Sequence, residues 1–110
     1  MLFRSKLDID FKVFDESGLL IGYAEVKGCN KILSEAYPLM VAVKKLSKLM
    51  DKRLNPTIIW ACHDGIVYGK VENLKGEIRY GGSSRGLQLT DKELMAYYQR
   101  QPNLKYLKYS

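Results

Sequence analysis

The chain has 110 residues, of which 46% are hydrophobic and 27% are charged, with 9 Gly and 3 Pro. This length predicts a single domain over residues 1–110, since domains typically contain roughly 100–150 residues. The composition excludes collagen-like, low-complexity and wholly disordered proteins. Eighteen Lys and Arg against twelve Asp and Glu give a formal net charge of +6, which favours a polyanionic partner, chiefly nucleic acid.

The sequence predicts neither membrane association nor secretion. No apolar run approaches the roughly 20 residues that span a bilayer. The first residues, MLFRSKLDID, carry charges before any apolar segment of the kind that secretory signals contain. Cys29 and Cys62 do not resemble a disulfide framework and are typical of free thiols in a reducing cytosol. We therefore expect a cytoplasmic protein of a microbial cell or of a phage-infected host.

The first two predicted elements form a β-hairpin. Apolar residues alternate with mostly polar ones over residues 7–14, LDIDFKVF, which indicates a strand. Residues 15–18, DESG, are typical of a turn. Residues 19–27, LLIGYAEVK, return as the second strand and end at Gly28.

A helix of about four turns is predicted next. It begins at Pro38, with apolar residues at helical spacing from Leu39 to Met50, and Asn55-Pro56 ends it. The apolar run 57–62, TIIWAC, then indicates a central strand buried on both faces, with Trp60 in the core.

The rest of the chain predicts a further hairpin and a last helix. His63-Asp64-Gly65 is a tight turn leading to a strand over residues 66–71, and residues 76–80 form a possible short strand. A capping-box pattern over residues 90–93 opens a helix to about residue 100. The order β-β-α-β-β-(β)-α predicts an α/β or α+β fold, a small mixed sheet with flanking helices.

The first hairpin also carries the candidate site. Glu25 and Lys27 project from one face of a strand, because side chains alternate along it. Directly opposed residues of a hairpin share a face and have a constant index sum. A sum of 35 opposes Glu25 to Asp10, and a sum of 33 opposes it to Asp8. We expect Gly22, Ala24 and Val26 to face the core and the acidic side to face outward.

Two carboxylates beside an ammonium suit divalent-metal chemistry. Mg²⁺ prefers a few carboxylate oxygens together with waters and a substrate phosphate, and it can polarise a phosphodiester and lower the pKa of water. A lysine can stabilise charge that develops on the phosphate. The alternative is a solvated strand face with an Asp-Lys or Glu-Lys cross-strand pair.

Asp10 on a hairpin, followed by Glu25-Val26-Lys27-Gly28 and a helix, resembles the PD-(D/E)xK nuclease superfamily. The resemblance covers roughly residues 7–62 and implies a restriction-endonuclease-like fold and a Mg²⁺- or Mn²⁺-dependent DNA endonuclease. It implies that Asp10, Glu25 and the backbone carbonyl of Val26 bind the metal, and that Lys27 is the catalytic lysine.

The resemblance leaves several assignments open. Asp8 is the alternate to Asp10, and Tyr37, Lys44 or Lys45 are candidates for a further polar residue from the following helix. Only six residues precede Leu7, so the helix that often comes before the first strand in this superfamily has no counterpart here. Either a partner subunit supplies that surface or the chain is a minimal or degenerate member of the superfamily. We expect a homodimer.

Nucleic acid is the expected partner of the remaining basic residues. Arginine grips phosphate bidentately, and aromatic side chains stack on bases or line dimer interfaces. The tail NLKYLKYS is both basic and aromatic. The alternative function is a non-catalytic nucleic-acid-binding module on the same fold. The candidate DNA-binding residues are Lys45, Lys48, Lys52, Arg79 and Arg85.

Overall fold

The computed structural model describes residues 2–4 (backbone only), 9–81 and 93–110, which form a mixed α+β domain with two sheets and little helix. The strands of this described part are β1 (Leu2–Arg4), β2 (Phe11–Phe14), β3 (Leu20–Gly28), β4 (Leu39–Ala42), β5 (Pro56–Ala61), β6 (Gly65–Lys70), β7 (Glu77–Gly81), β8 (Glu93–Tyr98) and β9 (Lys105–Lys108). Its α-helix, α1, is Val43–Ser47.

Strand order places the predicted hairpin inside the larger sheet. The six-stranded sheet has the order β1-β2-β3-β5-β6-β9, and the three-stranded sheet has the order β4-β8-β7. Strands β3 and β5 are parallel, whereas every other neighbouring pair is antiparallel. The carboxyl ends of β3 and β5 therefore meet at one edge of the sheet.

The first hairpin is confirmed, including its turn. The Asp15 carboxylate accepts hydrogen bonds from the backbone N–H groups of Ser17 (2.9 Å) and Leu19 (3.0 Å). Gly18 has φ 85°, a conformation that glycine adopts without steric cost. The chain bends at residues 9 and 10, so β2 begins only at Phe11.

The second hairpin is confirmed too, as β5 and β6 around the Asp64-Gly65 turn. The Asp64 carboxylate accepts a 2.7 Å hydrogen bond from the backbone N–H of Leu33, which ties the turn to the segment after β3. Trp60 lies in the core as predicted, with 1% of its surface exposed. The expectation that both faces of this strand are buried is wrong, because buried and half-buried residues alternate along β5.

The long helix predicted from Pro38 to Asn55 is wrong. Leu39–Ala42 is strand β4, α1 has five residues, and Lys52–Leu54 is a 3-10 turn. Leu39 and Val41 are buried while Met40 between them is exposed, which is the two-residue period of a strand. Pairing with β8 therefore outweighs the helical spacing in this segment.

The helix predicted over residues 90–100 is also wrong within the described residues. Glu93–Tyr98 is strand β8, the centre of the small sheet, and its neighbours are β4 and β7. Residues 90–92 of the predicted capping box lie outside the described residues. The C-terminal tail, for which no strand was predicted, contains β9.

The core lies between the two sheets. Residues that are paired across neighbouring strands project from the same face of a sheet, so Glu25 and its partner Ile58 lie on one side. Trp60 on that side packs against Tyr98 of the small sheet, with ring centroids 5.7 Å apart, and its indole N–H donates to the Met40 carbonyl at 2.9 Å. The side of β3 that we expected to face outward therefore faces the core.

The six-stranded sheet has a second, less buried side. Val26, Ile59, Ala61, Ile66 and Tyr68 lie on it and are half-buried. Among the described residues, no helix is long and apolar enough to cross a membrane.

Candidate metal-binding and nucleic-acid site

Asp10 and Glu25 come together as the first of the two possible registers requires. The observed pairs Phe11–Ala24, Lys12–Tyr23 and Val13–Gly22 each have the index sum 35. Continued by one residue, this register sets Asp10 opposite Glu25. Asp8, the alternate, lies outside the described residues.

Two hydrogen bonds join Asp10 to strand β3 across the hairpin, and one of them is to Glu25. The backbone N–H of Asp10 donates to Glu25 Oε2 at 3.1 Å, and the backbone N–H of Val26 donates to Asp10 Oδ2 at 2.9 Å. These bonds to carboxylates thus continue the pairing of β2 with β3 past Phe11, into the bend at residues 9 and 10. No hydrogen bond from another described residue reaches Asp10 Oδ1 or Glu25 Oε1, so within the described part of the chain one oxygen of each carboxylate is open to a further partner.

Glu25 is buried, with only 7% of its surface exposed, whereas Asp10 is half-buried. The alternative of a solvated strand face is therefore wrong for Glu25. Its neighbour across the parallel pair is Ile58, which is fully buried. A buried carboxylate is costly unless it is hydrogen-bonded or paired with a cation. Glu25 accepts the bond from Asp10, and no fully buried side-chain oxygen or nitrogen of the described residues is left without a hydrogen-bond partner.

Lys27 lies two residues beyond Glu25 on the same side of β3 and is half-buried. It lines a cavity of about 360 Å³ at the carboxyl ends of β3 and β5, together with Lys31 and Trp60. Asp10 and Glu25 do not line this cavity. Lys27 therefore lies between Glu25 on its own strand and a concave surface that carries a second cation, Lys31.

The donor set fits a hard, oxygen-preferring cation. Asp10 and Glu25 each retain one carboxylate oxygen, and Mg²⁺ often binds through one or two carboxylates while keeping several waters. Across the described residues there is no cluster of three or more His, Cys, Asp and Glu that could hold a metal ion.

The candidates from the segment after β3 lie elsewhere. Tyr37 packs under Arg100, whose guanidinium carbon is 4.8 Å from the ring centroid. Burial raises the pKa of Tyr37, and the charge of Arg100 opposes this shift. Lys44 is exposed on the short helix α1. Neither residue hydrogen-bonds to Asp10 or Glu25. The long helix that was expected to carry them toward the hairpin is replaced by β4 and the short α1.

The predicted DNA-binding residues do not form one helical face. Lys45 belongs to α1, Lys48 directly follows it and Lys52 begins the 3-10 turn; all three are exposed. Arg79 is exposed on β7, where its guanidinium carbon stacks 4.0 Å from the ring centroid of Tyr97. Arg85 lies outside the described residues.

A basic and aromatic cavity was missed by the sequence reasoning. It has a volume of about 160 Å³ and is lined by Leu33, Ser34, Tyr37, Val67, Arg100, Tyr106 and Lys108. Tyr106 and Lys108 belong to the tail whose basic and aromatic character was visible in the sequence. The sequence did not show that this tail pairs with β6. That pairing sets the two side chains beside Tyr37 and Arg100.

No protein-family model matches the chain, and comparisons with curated proteins and with solved structures found no match. The resemblance to the PD-(D/E)xK nucleases therefore stays a hypothesis, supported by the hairpin residues themselves.

Proposed function

We propose that this protein is a metal-dependent DNA endonuclease that hydrolyses phosphodiester bonds and has a restriction-endonuclease-like core. One observation carries the proposal: the buried carboxylate of Glu25 lies against Asp10, and each acid keeps one oxygen free of hydrogen bonds from the described residues. Lys27 follows on the same side of the same strand. Burying an acid is unfavourable unless it is hydrogen-bonded or paired, and a bound cation would add to the stabilisation that the bond from Asp10 provides.

Each residue has a distinct role in this proposal. Asp10 and Glu25, with the Val26 carbonyl, would hold Mg²⁺ or Mn²⁺, which when bound would polarise the phosphodiester and lower the pKa of a coordinated water. The backbone bond from Val26 to Asp10 fixes the position of that carboxylate. Lys27 would offset negative charge on the phosphate in the cavity that it lines.

Cations lie at both ends of one row of residues on this side of the sheet, whereas the middle of the row, Trp60 and Val67, is buried in the core. Lys27, Trp60, Val67 and Tyr106 form one transverse row across β3, β5, β6 and β9. With strands roughly 4.8 Å apart, the two ends of the row are about 15 Å apart. Arg100 and Lys108 lie at the far end and form no ion pair with a described residue. A polyanion could thus contact cations at both ends.

A non-catalytic nucleic-acid-binding module is the second candidate. The observation that favours it is that both acids already accept backbone hydrogen bonds. In this reading, Asp10 and Glu25 only fasten the bend before β2, and DNA binds through the cations beside the aromatic cavity. This candidate predicts binding without cleavage.

Incubation of the purified protein with supercoiled plasmid and with branched DNA, in Mg²⁺, Mn²⁺ or EDTA, separates the two candidates. We expect metal-dependent cleavage by the wild type and a loss of at least about 100-fold in rate for Lys27→Met, because charge on the phosphate would no longer be offset. Lys70→Met is the matched control, since Lys70 is an exposed strand lysine on the other side of the sheet. Cleavage that persists in Lys27→Met would contradict the assignment of the site, and retention of DNA without cleavage by the wild type would favour the binding module.

A further inference from the structure

The two cysteines occupy equivalent positions at the end of the parallel strand pair. Cys29 directly follows β3 and Cys62 directly follows β5, whose last residues, Gly28 and Ala61, are partners in register. The ladder continues past them, since the backbone N–H of Cys29 donates to the Ala61 carbonyl at 2.8 Å. Cys29 and Cys62 are thus neighbours across the two strands.

The backbone separation of the two cysteines suits a disulfide. Neighbouring strands lie roughly 4.8 Å apart, and bridged cysteines have Cα atoms roughly 4.4–6.8 Å apart. Both cysteines are free thiols. No large backbone movement is therefore needed to bring one sulfur onto the other.

The surroundings of the two thiols differ and assign them different roles. Cys29 is half-buried and lines the cavity that contains Lys27, so a small molecule in that cavity can reach it. Cys62 is only 5% exposed. Burial and the hydrogen bond with Cys29 raise the pKa of Cys62 to about 12, so it stays protonated near neutral pH. Peroxide therefore reaches Cys29 and not Cys62, which makes Cys29 the first thiol to react.

We propose that Cys29 and Cys62 form a peroxide-reactive dithiol site that closes an intramolecular disulfide. In the first step, the Cys29 thiolate attacks one peroxide oxygen and the O–O bond breaks. Cys29 becomes a sulfenic acid, and the departing hydroxide takes up a proton to form water. In the second step, the Cys62 sulfur bonds to the Cys29 sulfur while the S–O bond breaks, and the departing hydroxide takes the Cys62 proton. Two thiols and one peroxide thus give one disulfide and two waters.

This site does not depend on the proposed nuclease activity, and its consequence is structural. The bridge would tie the end of β3 to the end of β5, two residues beyond Lys27, and close a long loop of the unfolded chain. Restricting the unfolded chain in this way stabilises a fold, and for a domain of this size we expect the melting temperature to rise by on the order of 10 °C.

Treatment of the reduced wild type with hydrogen peroxide, followed by thiol counting, intact mass and peptide mapping, tests the proposal. We expect the free thiols to fall from two to zero per chain, with a loss of two hydrogens and a Cys29–Cys62 cross-link. In Cys62→Ser, Cys29 is expected to accumulate as a sulfenic acid that dimedone traps. In Cys29→Ser, the Cys62 thiol is expected to persist.

Two results would overturn the proposal. One is survival of both thiols at a peroxide concentration that fully oxidises an unstructured cysteine peptide. The other is a disulfide that joins two chains, rather than Cys29 to Cys62 within one chain. Each variant changes a single sulfur atom to oxygen, so we expect both variants to fold. Circular dichroism of the reduced proteins checks that they do.

Discussion

Glu25 combines a structural and a chemical role in one side chain. Its carboxylate accepts the Asp10 backbone N–H from a position that is 7% exposed and next to the core. Sequence reasoning predicted that an Asp would oppose this residue, because strand parity allowed only Asp8 or Asp10. It placed the acids on the outer side, because an acid-x-base pattern is typical of a solvated face. The burial of Glu25 could not be predicted in this way, because it depends on β5, which is remote in sequence.

Substitutions of Glu25 should separate its two roles. Glu25→Ala leaves the Asp10 N–H without its acceptor, and we expect a loss of about 1–3 kcal/mol in the free energy of unfolding. Glu25→Gln keeps an oxygen that can accept this bond and should stay within about 1 kcal/mol of the wild type. Urea denaturation measures both values. Equal losses in the two variants would contradict the structural role of this hydrogen bond.

Cys62 makes stability depend on pH in the alkaline range. Its folded pKa is raised from 9.0 to about 12, so above pH 9 the unfolded chain loses a proton that the folded chain retains. The contribution of this group is therefore fully present below pH 9 and is lost as the pH rises toward 12. Between pH 8 and pH 10 we expect a loss on the order of 1 kcal/mol from this thiol.

Urea denaturation of the reduced wild type and of Cys62→Ala at both pH values isolates that contribution. The wild type should lose more stability than the variant over this interval, since other titrating groups are common to both proteins. Parallel pH dependences would show that Cys62 ionises normally.

Among the elements, the turns could be predicted from the sequence, but the two predicted helices were both wrong. Asp15, Gly18 and the Asp64-Gly65 pair specify their turns by local chemistry, so both hairpins were correctly predicted. Leu39–Ala42 and Glu93–Tyr98 are strands that pair with each other. The two segments are far apart in the sequence, so neither one shows this pairing by itself. Local helical spacing and a capping pattern therefore gave the wrong element for both.

The turn between β5 and β6 also holds the segment after β3. The carboxylate of Asp64 accepts the Leu33 N–H at 2.7 Å in a half-buried position. We expect Asp64→Ala to reduce the free energy of unfolding by about 1–2 kcal/mol, because a half-buried donor loses its partner. Asp64→Asn, which keeps a side-chain oxygen, is the control and should be clearly more stable in urea denaturation. An alanine variant as stable as the wild type would contradict this role of the contact.

Across the whole molecule, the two sides of the larger sheet differ in what they offer a partner. One side carries the acids, Lys27 and the basic aromatic cavity. The other carries half-buried apolar residues such as Ile59 and Ile66, which suit the homodimer that remains our prediction. A light-scattering mass of twice the 12.6 kDa of one chain would support it, and a monomer at working concentration would contradict it.

DNA binding should depend on the cations that have no acidic partner. We expect Arg100→Gln with Lys108→Gln to weaken binding across sequences and to reduce the slope of log affinity against log salt by about 2, one for each lost phosphate contact. Arg53→Gln is the matched control, because Arg53 is paired with Asp51 at 2.8 Å. Fluorescence anisotropy over a salt series gives the slopes. A larger change in the Arg53 variant would relocate the DNA surface.

The central claim is that Asp10 and Glu25 hold a divalent cation, and a Mn²⁺ titration followed by electron paramagnetic resonance tests it most directly. The wild type should bind one Mn²⁺ per chain, and Glu25→Gln should lose that binding while remaining folded. Glu72→Gln, at an exposed position away from the hairpin, should bind as the wild type does. Mn²⁺ binding that is absent from the wild type, or unchanged in Glu25→Gln, would contradict the account.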